Sequence, residues 1–221
     1  MSKFQEKYRS ESKRWQFWDY SSPGVYFITV ATNNREKILG KKTGNKIILT
    51  ESGHIAKNHI LQINDFQQNV ILDEFVIMPD HFHLLIIITD DEFEYPKQNY
   101  PIKNEFELMQ YVDTIRGDTI RGDTIHELYL RGFEYSKSVN NKYKFTAPLT
   151  KQQKSDYIKL RRKMLIPKIM GKMKMQISKE INILNNTPKF KNLQSDYYEK
   201  IIRTTKDFFT TKKYIRENPA G

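Results

Sequence analysis

The chain has 221 residues, of which 38% are hydrophobic, 13% aromatic and 29% charged, a composition that supports a folded core and excludes a disordered tail. It contains no cysteine, which excludes a disulfide scaffold, a thiolate nucleophile and cysteine-based metal sites, so any metal must take nitrogen and oxygen ligands. The longest apolar run, residues 84–88, is far shorter than the roughly 20 residues that span a bilayer, and the first residues lack a signal-peptide pattern, so we expect a cytoplasmic protein without membrane contact.

Positive charge is concentrated in the last third of the chain. Residues 151–221 hold 18 Lys and Arg against 6 Asp and Glu, a net charge of +12. Residues 1–150 hold 19 Lys and Arg against 20 Asp and Glu, a net charge of −1. Such an asymmetry indicates a surface for a polyanion such as a nucleic acid, because each neutralised phosphate releases condensed counterions. The alternative is that this charge serves solubility alone.

The first predicted elements are two strands and a helix. Residues 24–31 are rich in β-branched and aromatic side chains and end at the turn signal Asn33-Asn34, which predicts a strand. Residues 46–50 predict a second, short strand. Residues 52–64 then place isoleucines at roughly helical spacing, which predicts a helix with Ser52 as its N-cap.

A hairpin is predicted next. Two apolar segments, residues 70–78 and 82–89, are separated by Pro79-Asp80, a dipeptide typical of tight turns. The second segment is apolar on both faces, as expected of a central strand that helices cover.

Residues 90–150 interrupt this pattern. The sequence DTIRG at 113–117 recurs at 118–122, and DTI follows at 123–125. A period of five residues is too short for a solenoid, whose repeats run to at least about 20 residues. We interpret residues 90–150 as a variable insertion in a single domain of residues 1–221, and we expect it to be mobile or only partly ordered.

The last third predicts a helix, a strand and a second helix. From residue 166 onward the apolar residues follow helical spacing on one face, with the methionines as core residues and several lysines on another face. That apolar face consists of Ile166, Ile169, Met170, Met173, Ile177, Ile181 and Leu184. Residues 197–202 predict a short strand, and the final helix begins after the N-cap Thr204 and ends before Pro219.

The hairpin carries candidate metal ligands. Residues two apart in a strand point to the same face, so His81 and His83 present two imidazoles side by side while Phe82 turns away. Two neutral imidazoles so placed suit a divalent metal. The alternative is a histidine pair that hydrogen bonds satisfy at the edge of a strand.

The final helix carries a candidate nucleophile. Tyr214 and Asn218 are four residues apart and share a helix face. Asn218 precedes Pro219, which disfavours the α region there, so we expect its carboxamide to reach outward from the helix end. A tyrosine near a two-histidine metal indicates a phenolate nucleophile, because a covalent intermediate splits one hard displacement into two easier ones. The alternative is an ordinary tyrosine packed between helix and core.

Four sequence blocks together resemble one family. They are YFITVAT with NRE (residues 26–36), VIMPDHFHLL (76–85), DYYEKIIR (196–203) and YIRENP (214–219). In this order they resemble the REP-associated tyrosine transposases, which belong to the single-tyrosine branch of the HUH superfamily, where two histidines flank one hydrophobic residue. The resemblance extends from about residue 19 to residue 219, apart from the insertion. This sequence departs from the family pattern at Leu193-Gln194, where a tryptophan is usual.

The resemblance implies an α+β domain similar to RNA-recognition-motif and ferredoxin-like folds, with an antiparallel sheet that bears the histidines and helices on one side. It also implies that His81 and His83 bind Mg²⁺ or Mn²⁺, that Asn218 supplies the third ligand, and that Tyr214 attacks a DNA phosphate.

The function implied is that of a transposase, a metal-dependent endonuclease and strand transferase on single-stranded or hairpin DNA, acting as a monomer or homodimer. Basic residues of the last third are expected to track the DNA backbone. They are Lys168, Lys172, Lys174, Lys179 and Arg203. Two alternatives stay open: a protein that binds hairpin DNA without cutting it, and a nuclease that cleaves RNA or acts in replication initiation. The sequence assigns no general base for the Tyr214 proton.

Overall fold

The computed structural model describes residues 18–89 and 149–218, together with positions 130, 133, 134, 137, 138 and 142. Within them, four strands form one antiparallel sheet: β1 (Gly24–Ala31), β4 (Val70–Ile77), β5 (His81–Ile88) and β6 (Tyr198–Ile202). Their order across the sheet is β4-β5-β1-β6. A separate hairpin pairs β2 (Gly40–Thr43) with β3 (Lys46–Leu49).

Within residues 18–89 and 149–218, four α-helices accompany the sheet. They are α1 (Glu51–Leu61), α2 (Lys151–Arg162), α3 (Leu165–Leu184) and α4 (Thr205–Glu217). With the β2–β3 hairpin, α2 and the final helix α4 set aside, the order of sheet strands and helices is β-α-β-β-α-β, which is the ferredoxin-like arrangement. The predicted α+β class with an antiparallel sheet is therefore confirmed. No helix in the described part of the chain has the length and apolar character that a membrane span needs.

One face of the sheet, which we call the core face, packs on α1 and α3. Alternate residues of the two central strands point toward it, among them Ile28 of β1 and Leu84 of β5, and both are fully buried. The apolar stripe of α3 meets them, and its buried residues include Met170 and Met173. Met170 and Met173 are thus core residues, as predicted, whereas Met175 of the same helix is exposed.

The opposite face, which we call the α4 face, is covered only by α4 in the described residues. Phe208 and Ile215 of α4 pack against Leu85 and Ile87 of β5. The resemblance implied helices on one side of the sheet, and in this respect the expectation was wrong. β5 is apolar on both faces because a helix covers each of them.

Most predicted boundaries are confirmed, and one cap was wrong. Strands β1, β4, β5 and β6 form where the sequence predicts them, and Thr204 caps α4 by accepting from the Asp207 N–H at 3.1 Å. The N-cap of α1 is Thr50, not Ser52, because the extended backbone of Thr50 lets its hydroxyl accept from the Gly53 N–H. Ser52 lies inside the first turn and is buried.

Two elements were not predicted, and one prediction cannot be compared with the structure. Strand β2 reads GKKT and α2 buries only Tyr157, so neither shows an apolar period. The five-residue repeat at 113–125 lies outside the described residues, as does most of the predicted insertion.

Candidate active site

The two histidines of the hairpin face each other on the α4 face. The Nε2 atoms of His81 and His83 are 3.2 Å apart, and their ring centroids are 4.7 Å apart. His83 is buried, with 5% of its surface exposed, whereas 17% of the His81 side chain is exposed. The structure thus brings together two nitrogens that can bind one ligand.

Each ring is oriented by a hydrogen bond at its other nitrogen. Nδ1 of His81 lies 2.6 Å from Oδ1 of Asp80, and Nδ1 of His83 lies 2.8 Å from the Thr29 hydroxyl oxygen. Such partners hold the imidazole plane and leave Nε2 available, which is the usual arrangement of histidines that bind metals. Thr29 reaches His83 because the two residues are directly paired across β1 and β5.

Tyr214 joins this pair from α4. Its hydroxyl oxygen lies 3.3 Å from Nε2 of His83, and about half of the residue is exposed. Phe27 of β1 stacks on the His83 ring, with centroids 5.2 Å apart, and meets the Tyr214 ring edge-on at 6.1 Å. The phenol oxygen and both Nε2 atoms therefore converge on one accessible spot.

Ion pairs to β4 fix the position of α4. Nζ of Lys212 lies 2.8 Å from both carboxylate oxygens of Asp73, and both side chains are almost fully buried. Asp73 sits at a bulge in β4, where the pairing with β5 shifts register. Nε of Arg216 donates to Glu74 at 2.7 Å. Because Tyr214 lies between Lys212 and Arg216 along the helix, these pairs set where its ring can lie.

The electrostatics keep His83 neutral. Burial, together with the neighbouring His81 and Arg35, lowers the pKa of His83 to about 4, and burial is the largest of these causes. Burial also lowers the pKa of Lys212, and the Asp73 carboxylate opposes that shift. A neutral imidazole at pH 7 is the form that binds a metal.

The pair fits a metal ion by its spacing and chemistry. Two nitrogens bound to the same ion at about 2.1 Å lie roughly 3 Å apart when they are neighbours around it, and the observed separation is 3.2 Å. In the described ranges no group of three or more His, Cys, Asp or Glu side chains gathers in this way. A further ligand from these ranges would therefore be of another type, such as an amide, beside water or a substrate oxygen.

Asn218 ends α4, one turn beyond Tyr214. Its backbone is helical (φ −52, ψ −40), and its N–H bonds to the Tyr214 carbonyl. The expectation that Pro219 would move it out of the α region was wrong, because that final helical bond holds its backbone in place. Among the described side chains, no hydrogen bond joins the Asn218 carboxamide to His81 or His83.

The predicted basic residues do not gather at the histidine pair. Lys168, Lys172, Lys174 and Lys179 belong to α3, which packs on the core face, whereas the pair lies on the α4 face. Nζ of Lys174 donates to the Ser195 carbonyl at 2.7 Å, and Lys172 lies over the Phe66 ring. Arg203 is exposed and follows β6 directly.

Three contributors to the site were missed in the sequence. Asp80 directly precedes His81, so the sequence could have predicted their contact. It could not have predicted the contact of Thr29, because Thr29 meets His83 only through the pairing of β1 with β5. The sequence also did not indicate that Arg35 reaches the site. Its guanidinium Nη1 lies 3.7 Å from Oδ2 of Asp80, and its backbone has a left-handed φ of 58°.

Comparisons with known proteins give limited matches. No family model matches the chain. A segment of 79 residues, 36% of this chain, is 37% identical to an uncharacterized protein of Haemophilus influenzae and spans 44% of that protein's length, which is less than half. Among solved structures, a REP-associated tyrosine transposase bound to a REP hairpin is similar over 96% of this chain and 73% of its own, with 15% identity and a TM-score of 0.43.

Proposed function

We propose that this chain is a metal-dependent endonuclease and strand transferase that cleaves single-stranded, hairpin-forming DNA through a tyrosine intermediate. The observation that carries the proposal is the convergence of three groups on the α4 face. Nε2 of His83 lies within 3.3 Å of the Tyr214 hydroxyl and within 3.2 Å of Nε2 of His81. A nucleophile beside a metal-binding pair is the minimum that cleavage of a phosphodiester by this route requires.

His81 and His83 would hold the ion through Nε2, with the Asn218 carboxamide as the proposed third ligand. When bound, a divalent ion would stabilise the negative charge of the phosphate that is attacked. Nitrogen ligands suit a transition metal better than Mg²⁺, which prefers oxygen. Of the two ions that the resemblance implies, we therefore expect Mn²⁺ to support the reaction better.

Tyr214 would attack the phosphorus atom. Its oxygen forms the new bond, the bond to the 3′ oxygen breaks, and the proton lost by the phenol is balanced by the one gained at the 3′ oxygen. The products are a 5′-phosphotyrosine and a free 3′-OH, which can reverse the attack and rejoin strands. Phe27 and the ion pairs of α4 restrict where the Tyr214 ring can lie, which lowers the entropy cost of reaching the attack geometry.

The charge distribution supports DNA as the substrate. Residues 151–221 carry the whole positive excess of the chain, and Arg35 adds a partly exposed guanidinium beside Asp80. The candidate contacts to the DNA backbone remain Lys168, Lys172, Lys174, Lys179 and Arg203. The four lysines lie on α3, so they would contact a DNA hairpin that extends around the domain to the side where α3 packs.

The test is a cleavage assay on the full chain. Hairpin DNA with single-stranded flanks, taken from palindromic repeats beside the gene, is incubated with Mn²⁺, Mg²⁺ or excess chelator, together with matched RNA hairpins. We expect cutting of DNA with Mn²⁺, weaker cutting with Mg²⁺, and none in chelator. Cutting in chelator would contradict the role of the metal. Binding without cutting under every condition would favour the non-cleaving alternative, and cutting of RNA alone would favour the RNA nuclease.

A further inference from the structure

A row of side chains crosses the α4 face from the histidines to the edge of the sheet. Thr29 is paired directly with His83 on one side and with Tyr198 of β6 on the other. Directly paired residues in antiparallel strands point to the same face. Tyr198 therefore shares a face with His83, two strands away, which is roughly 10 Å at the usual spacing between strands.

Tyr198 is exposed although it lies in a strand. About 48% of its surface is accessible, whereas Glu199, the next residue in the strand, points to the core face and is buried. Because Tyr198 lies two strands away from His83, it does not contact the reacting groups themselves. An aromatic ring left uncovered beside a site, rather than buried, is available to a ligand.

Positive charge accompanies this ring. Lys200 is the next residue of β6 on the α4 face, directly paired with Phe27, and about half of its side chain is exposed. Its ion pair with Asp207 is long, at 4.0 Å, and exposed, so it contributes little and leaves the ammonium group available. Arg203 follows at the end of the same strand. An exposed aromatic ring with a cation beside it on the same strand face is an arrangement that holds single-stranded nucleic acid by base stacking and phosphate contacts.

We propose that Tyr198 is a stacking platform for a base of single-stranded DNA close to the cleaved phosphate, and that Lys200 contacts the backbone beside it. This inference rests on the proposed function, because it assigns a binding position for the same strand that Tyr214 attacks. Stacking tolerates any base, so Tyr198 contributes affinity and position rather than sequence recognition.

The test uses 2-aminopurine, a fluorescent base whose emission is quenched by stacking. Single-stranded oligonucleotides that contain it at successive positions around the cut are bound in chelator by the full chain and by Tyr198→Ala, Tyr198→Thr, Tyr198→Phe and Tyr198→Trp. The control is Phe190→Ala, since Phe190 is equally exposed, at 49%, in the loop after α3.

We expect quenching at one or two adjacent positions by the unmodified chain and by the Phe and Trp variants. The Ala and Thr variants should lose it and bind about 5- to 150-fold more weakly, which corresponds to one stacked base. Phe190→Ala should bind within twofold of the unmodified chain. Tyr198→Thr keeps a good strand former at the position, so a loss shared by Ala and Thr reports the ring and not folding.

The possible failures are distinguishable. If the unmodified chain cleaves DNA but Tyr198→Ala and Tyr198→Thr bind it equally well, the platform is wrong and the proposed function stands. If the unmodified chain neither binds nor cleaves DNA, both are wrong. If it is a dimer in solution that Tyr198→Ala dissociates, a second copy covers the ring and the platform is again wrong.

Discussion

The two faces of the sheet use the same strands for different purposes. On the core face, Phe82, Leu84 and Ile86 of β5 are fully buried beneath α1 and α3. On the α4 face the same strand begins with His81 and His83 and becomes apolar only at Leu85. α4 covers the apolar end and brings Tyr214 to the histidine end. A face covered by one short helix thus keeps room for polar groups that a closed core excludes.

The largest effect should come from removing a histidine on the α4 face. We expect His81→Ala or His83→Ala to reduce cleavage by at least about 10³-fold, as for other residues that act as a catalytic unit, while hairpin binding persists. The measurement is the rate of strand cutting with Mn²⁺. The matched control is His59→Ala, because His59 is also buried but lies on α1, bonded to Glu180. Normal cutting by either His81 or His83 variant would show that the pair is not catalytic.

Next in size is the buried ion pair that attaches α4. Lys212→Met removes the ammonium group that pairs with the buried Asp73 carboxylate, so the free energy of unfolding should fall by about 3–5 kcal/mol, measured by urea titration. Lys213→Met is the control, since the Lys213 side chain is largely exposed and should change stability by less than about 1 kcal/mol. Adding Asp73→Leu to Lys212→Met should recover stability. An unchanged unfolding curve for Lys212→Met alone would show that this pair does not hold α4.

A substitution on the core face should reverse the pattern of the histidine variants. Leu84→Ala should lower the free energy of unfolding by about 2–5 kcal/mol because it opens a cavity in the core. Cleavage per folded molecule should stay unchanged. Ile183→Ala serves as the control because Ile183 is 69% exposed on α3. A loss of cleavage in folded Leu84→Ala would show that the two faces are not separable.

The smallest effect expected is a pH dependence that belongs to His83. In the unfolded chain this imidazole takes up a proton near pH 6.5, whereas in the folded chain its pKa is lowered to about 4. The neutral ring thus contributes stability that is complete above pH 6.5 and is lost as the pH falls toward 4, by at most about 1.4 kcal/mol per pH unit. Unfolding free energies at pH 7, 6 and 5 should show this slope, and His83→Gln should reduce it. Equal slopes in both proteins would contradict the lowered pKa.

Much of the fold was predictable because its strands and α3 carry strong apolar periods. The register between β1 and β5 was not, because nothing local to residue 29 indicates that it meets residue 83. The same limit applies to the side of the sheet on which each helix packs. The apolar stripe of α3 indicates that one side of this helix is buried, but it does not indicate which face of the sheet the helix covers. The lysines of α3 could therefore not be placed relative to Tyr214 from the sequence.

The candidate site was readable in part for a similar reason. His81 and His83 are two residues apart in a strand, and alternation alone puts them together. Tyr214 comes from a different element, and the contacts that position it, Asp73 with Lys212 and Glu74 with Arg216, join residues far apart in sequence. The β4 bulge that presents Asp73 leaves no mark in the sequence pattern.

The most direct measurement of whether the histidine end of the α4 face is a cleavage site is the capture of its covalent intermediate. Hairpin DNA labelled at either end is incubated with the unmodified chain and with Tyr214→Phe, then separated on a denaturing gel. Attack by Tyr214 predicts that the 3′-end label migrates with the protein, that the 5′-end label is released on a free fragment, and that Tyr214→Phe binds DNA without forming an adduct. An adduct formed by Tyr214→Phe, or a protein that carries the 5′-end label, would contradict the assignment.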